Sequence, residues 1–305
     1  MQRVRKQIEA GELEQEELPQ RNITVAVLDT GIARHPDLLG KLVCFHDFVG
    51  NRKLMYDDNG HGTHVCGIIC GSGGLSGGKY KGVASNVKLV VGKVLDEKGD
   101  GSAESMLQGL KWILSVREKY QIRVLNISVG IGNLAQKEKE QALKQQIEAL
   151  WDSGIVVVCA AGNKGPANGS ISSVGGSGKV ITVGCHDGSF CKENKKRCET
   201  YSGRGALDAS VRKPDIVAPG TDIISCNARC RRVHGKVLNP YVTKSGTSMA
   251  TPIVSGAAAL ALQKFPELTN DELKQKITLT ATDLGEPWNK QGWGMLHVKR
   301  LLKSY

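Results

Sequence analysis

Four short stretches carry side chains whose types could do acyl-transfer chemistry. Val27-Leu-Asp-Thr-Gly31 puts Asp29 at the end of an apolar run, and Asp58-Asn-Gly-His-Gly-Thr-His-Val-Cys-Gly67 sets His61 between two glycines that leave room beside the imidazole. Ala160-Ala-Gly-Asn163 ends in an amide side chain, and Ser245-Gly-Thr-Ser-Met-Ala-Thr-Pro252 carries Ser248 into a run of small residues. Each alone has an ordinary reading. Asp29 and Asn163 fit turns, Ser248 fits a helix N-cap, and His61 with His64 could be a metal pair. The metal reading weakens because no Glu occupies the HExxH position. Together they match a demanding set: a nucleophile, a base for its proton, a carboxylate to fix the base's tautomer, and a donor for the oxyanion. The chain order Asp29, His61, Ser248 differs from the nucleophile-elbow hydrolases, and Ala250 stands where their GxSxG motif wants its last Gly.

Such groups need a scaffold that brings them to one place. Ile23–Leu28, Val87–Leu95, Val124–Ile127, Ile155–Ala161 and Val180–Val183 read as short apolar strands. They alternate with helical segments at Ala103–Tyr120 and Ala135–Asp152, a small-residue helix over 247–264 with Pro252 in its first turn, and a helix opened by the capping box Thr269-x-x-Glu272. This pattern predicts an α/β fold of three layers, with a mostly parallel central sheet and helices on both faces. The carboxyl ends of such strands meet at one crevice, where the four groups should gather. We read a polar arm over residues 1–20, acidic over Glu9–Glu17 and a conceivable latch on the basic body, followed by one domain over 21–305.

The 305 residues are 40% hydrophobic and 23% charged, which suits a folded chain and argues against wholesale disorder. No run approaches the ~18 apolar residues of a membrane span, so no membrane partner is expected. Net charge is +11, and residues 191–240 contribute +6 of it with 11 basic and 5 acidic residues. No nucleic-acid motif or aromatic platform accompanies this charge, so nucleic acid is not an expected partner. Nine cysteines, an odd count, follow a start without an apolar signal core. They favour free thiols and a cytoplasmic location. Cys185, Cys191 and Cys198 lack the short CxxC spacing of zinc sites, and Cys66, Cys70 and Cys159 read as core. Oligomeric state is not legible.

From about Ile23 to Leu301 the chain resembles the subtilisin family of serine proteases, carried above all by the HGTH block at His61 and the GTSMATP block around Ser248. The resemblance implies that Asp29 orients His61, that His61 is the general base for Ser248, and that Asn163 joins the Ser248 backbone N–H as oxyanion donor. It implies that Gly101, Ser102, Ala103 and Ser128, Val129, Gly130 hold an extended peptide or protein substrate by strand addition. Ala160, Ala161, Gly162 and Gly175 would wall the primary specificity pocket. None is charged, which predicts apolar or aromatic P1 side chains. The chemistry needs no cofactor. Asp37 matches one ligand of the family's strong calcium site, but Gly71–Gly82 offers no Asp, Glu or Asn to help it. That site is expected to be absent or altered.

Overall fold

The computed structural model describes residues 1–11, 22–129, 137–190 and 197–303. Its centre is a sheet of seven parallel strands: β1 (Thr24–Asp29), β2 (Leu42–Asp47), β3 (Lys88–Lys93), β4 (Ile122–Ile127), β5 (Val156–Ala160), β6 (Ile181–Cys185) and β7 (Ile216–Ala218). The order is β2-β3-β1-β4-β5-β6-β7, every adjacent pair parallel. Strands β1, β5 and β6 are buried at every position, which is why they read as unbroken apolar runs. From β1 the chain crosses to β2 at the edge, steps back to β3 beside β1, and then passes to β4 on the other side of β1. A switch of this kind opens a crevice at the strands' carboxyl ends.

A short first helix, α1 (Gln2–Gln7), precedes the sheet. Of the helices that follow β1, α2 (His61–Cys70) and α5 (Thr247–Lys264) pack on each other on one face, while α3 (Ala103–Val116) and α4 (Lys137–Asp152) pack together on the other. Within α5 only Ser248 and Lys264 escape burial. A helix buried all round needs small side chains to let its neighbours close in. The capping box of α6 (Asn270–Leu279) forms with both reciprocal bonds. Beside the main sheet lie β8 (Ile223–Cys226) paired antiparallel with β11 (Tyr241–Lys244), and a two-stranded ribbon of β9 (Arg231–Val233) and β10 (Lys236–Leu238).

Two expectations need correction. Residues 1–11 are no separate polar arm. Met1, Val4, Ile8 and Ala10 are buried in the core, and Gln2 N–H donates to Lys79 O at 3.0 Å while Ile8 O accepts from Val298 N–H at 2.8 Å. Their helical spacing along one face made docking more favourable than solvation. Residues 12–20 of that arm, and with them most of the acidic stretch, lie outside the described residues. The cysteines are not all free: Cys185 and Cys198 form a disulfide with Cα atoms 5.7 Å apart. The fold brings the end of β6 against the turn Cys198–Thr200, a meeting that the 13-residue spacing does not disclose. Six other cysteines are free, and Cys191 lies outside the described residues.

Candidate active site

Asp29 is the last residue of β1 and is fully buried. Its Oδ1 accepts the Thr30 N–H at 2.8 Å and lies 2.7 Å from His61 Nδ1. His61 opens α2, entered through Gly60 in the left-handed region at φ 95°. Its side chain stays 22% exposed, while Asp29 is fully buried. Burial works against charging the imidazole, but the carboxylate of Asp29 outweighs it, and the His61 pKa is raised from the ordinary 6.5.

The start of α2 is fixed by a carboxylate that the sequence reading passed over. Asp57 Oδ1 accepts from Gly60 N–H at 2.7 Å and Thr30 Oγ1 at 2.8 Å, and its Oδ2 accepts from Thr63 N–H at 2.8 Å and Thr63 Oγ1 at 2.6 Å. Thr30 Oγ1 in turn accepts the Gly62 N–H at 2.8 Å. One anion therefore caps the helix that carries His61 and ties it to the segment that carries Asp29. The only sequence signal is its place just ahead of the His61 block, where a carboxylate before Asn and Gly reads as a turn.

On the other bank, Asn163 follows β5 and its Oδ1 accepts from Thr247 N–H at 3.1 Å and Thr247 Oγ1 at 3.0 Å. That bond turns the Nδ2 end toward Ser248, the second residue of α5. Gly246 has φ 144°, and a methyl group on it would sit 3.4 Å from Asn163 Nδ2 and 3.8 Å from Ser248 N. Both N–H donors thus border one small space at the start of an 18-residue helix, where backbone amides favour negative charge. The two banks are held together by the packing of α2 on α5 and by His64, whose Nε2 lies 3.0 Å from Ile223 O and 3.1 Å from Val242 O. No hydrogen bond joins His61 Nε2 to Ser248 Oγ among the described residues. In substrate-free sites such contacts commonly tighten only when substrate binds.

The predicted substrate residues fall on separate stretches of the chain. Gly101 and Ser102 are exposed, Ser102 caps α3, and Ala103 begins it. Ser128 follows β4, buried, with its Oγ accepting from Asn126 Nδ2 at 2.8 Å; Val129 is half-buried and Gly130 lies outside the described residues. Ala160 and Ala161 are buried at the end of β5, and their carbonyls accept from Ser172 Oγ and Ser172 N–H. Gly162 O accepts from Gly203 N–H. A methyl group on Gly175 would lie 3.1 Å from Ser172 Oγ, so the 160–162 and 172–175 segments share one wall.

Two buried groups offer metal-ligating atoms, His35/Asp37/Cys226 and Cys185/Asp187/Cys198. Neither has a free donor set. His35 Nδ1 accepts from Asp37 N–H, and Asp37 accepts from Ser72 Oγ, Leu75 N–H and the Tyr241 hydroxyl at 2.6–3.1 Å. A calcium ion wants six to eight oxygens, and a carboxylate committed to three donors beside a loop without acidic side chains does not fit one. In the second group the sulfurs are bonded to each other.

A wholly parallel sheet, an Asp–His pair at its carboxyl edge and a serine at the start of a buried helix define the subtilisin-like class of serine endopeptidases. The chain belongs to the subtilase family, peptidase family S8, which it matches over residues 20–294. It is 41% identical to Serine protease AprX of Bacillus subtilis (strain 168) over 84% of this chain and 60% of AprX, so the chain spans less than two thirds of that relative. With Subtilisin DY of Bacillus licheniformis it shares 36% identity over 91% of this chain and 90% of that one. Among solved structures, Sphericase superposes with a TM-score of 0.81 at 27% identity, covering 97% of both chains.

Proposed function

We propose that this chain is a serine endopeptidase that cleaves peptide bonds through an acyl-enzyme on Ser248. The 2.7 Å contact between His61 Nδ1 and Asp29 Oδ1 carries this reading. With Nδ1–H held by the carboxylate, Nε2 keeps its lone pair for the Ser248 Oγ proton. Oγ attacks the carbonyl carbon, and the resulting oxyanion takes hydrogen bonds from Asn163 Nδ2 and Ser248 N–H. His61 then passes the proton to the departing amine. A water, deprotonated by the same imidazole, hydrolyses the ester and frees Ser248.

The substrate lies extended along 101–103 and 128–129, adding a strand between them. Its P1 side chain enters the pocket walled by Ala160, Ala161, Gly162 and Gly175, whose uncharged lining favours apolar or aromatic residues. A cytoplasmic location is a reading of the sequence alone: the six free thiols favour it and the Cys185–Cys198 disulfide weighs against it. The direct test is labelling the purified protein with a fluorophosphonate and mapping the adduct. Modification of Ser248, lost in Ser248→Ala, is expected; a folded protein that takes no label, or takes it elsewhere, overturns the mechanism.

A further inference from the structure

Basic residues cluster on one excursion of the chain that begins and ends near the reacting groups. Between β8 and β11 the chain makes an excursion whose residues 227–244 include Arg229, Arg231, Arg232, Lys236 and Lys244 and no Asp or Glu. The tip is a tight ribbon: β9 pairs with β10 through His234 and Gly235, both at positive φ (47° and 78°). That two-residue turn matches the strands' twist and stiffens the hairpin. Arg229, Arg231, Arg232 and Lys236 are exposed, and none forms an ion pair among the described residues.

The base of this excursion borders the reacting groups. Ala228 Cβ would lie 3.4 Å from a methyl group on Gly60, the residue before His61. Lys244 stands four residues before Ser248, near enough to oppose the charging of His61. Beside Asn59, the loop Asp96–Asp100 holds three carboxylates and one lysine, and its Glu97 carbonyl accepts from Asn59 Nδ2 at 3.0 Å. That acidic loop leads straight into Gly101–Ala103, where the acyl half of the substrate lies on the reading above. The amine half must then leave past the basic ribbon.

We propose that the basic ribbon binds acidic side chains on the leaving-group side of the scissile bond, so that the preferred substrates carry Asp or Glu roughly two to five residues beyond it. This rests on the endopeptidase reading and names its substrate class. Residues 227–240 contain no Phe, Tyr or Trp on which a nucleic-acid base could stack.

The test uses two internally quenched peptides identical up to the scissile bond, one continuing with Glu-Glu-Glu and the other with Gln-Gln-Gln. At low salt kcat/KM for the acidic peptide is expected to exceed the neutral one by about tenfold. The ratio should fall toward one in R231Q/R232Q/K236Q. It should also fall in the unaltered enzyme as salt rises to about 0.5 M, which gives a reading should the variant misfold. A ratio near one in the unaltered enzyme, or one indifferent to both changes, overturns the proposal. Ribbon-dependent binding to anionic lipid vesicles without a peptide preference overturns it in favour of a membrane surface. An anilide with the same acyl sequence has nothing beyond the cleaved bond. If it is not hydrolysed, the endopeptidase reading fails; if only the peptide ratio fails, the ribbon assignment alone is lost.

Discussion

At the scale of single residues, Asp57 is a positioning group that touches no reacting atom yet holds both halves of the Asp29–His61 pair in register. Asp29, Asp57 and Lys244 all bear on the His61 imidazole, the carboxylates favouring its charged form and the lysine opposing it. Only the neutral imidazole takes a proton from serine, so activity should fall as pH drops through the raised His61 pKa. Asp57→Asn keeps the shape and removes one favouring charge. The acid limb of kcat/KM should therefore move to lower pH, while kcat falls by about tenfold or more from lost alignment at unchanged KM. A pH–rate profile checks this; an unmoved limb would leave Asp57 a structural cap and nothing more. Asp29, His61, Asn163 and Ser248 stand out in the sequence because few chemistries need those four types at strand ends and a helix start. Asp57 does not, because its four donors come from Thr30, Gly60 and Thr63, and only folding shows them converging.

At the scale of elements, the buried strands and α5 were the most legible parts. β1, β5 and β6 are covered on both faces, and that coverage is written as continuous apolar runs. β2 is only partly buried, so it carried no such signal. The ribbon β9–β10 escaped notice because three-residue strands with exposed side chains look like a charged loop. The small residues of α5 have a measurable consequence. A methyl group on Gly256 would lie 2.7 Å from Val83 Cβ and 3.5 Å from Ile69 O. In an open helix Gly→Ala would gain up to about 1 kcal/mol, but forcing a methyl into a packed contact costs about 1–3 kcal/mol. Overpacking should win, and Gly256→Ala should lower the urea midpoint. A raised midpoint would mean that the α2–α5 seam has slack.

At the scale of the whole molecule, His64 joins α2 to the β8–β11 pair through Ile223 O and Val242 O, while its Nδ1 is buried without a partner among the described residues. Burial pushes its pKa down to about 3. In the unfolded chain the same imidazole takes a proton near 6.5, so acid favours unfolding. The stability held by neutral His64 is full above pH 6.5 and is lost as pH falls toward 3, about 3 kcal/mol of it by pH 4.5. Melting temperatures at pH 7 and 4.5 should separate more widely for the unaltered protein than for His64→Gln; equal separations would refute this linkage. The disulfide at Cys185 and Cys198 and the docking of residues 1–11 belong to this scale too. Neither follows from local pattern alone, since both are decided by what distant segments meet.

The docked first helix has one last consequence. The carbonyl of Ile8, which caps it, is held by the amide of Val298, so two segments far apart in sequence clasp each other. A protease is surrounded by copies of itself, and frayed ends are the easiest bait for a neighbour's cleft. A segment pinned in this way cannot be drawn out into a cleft until the clasp opens.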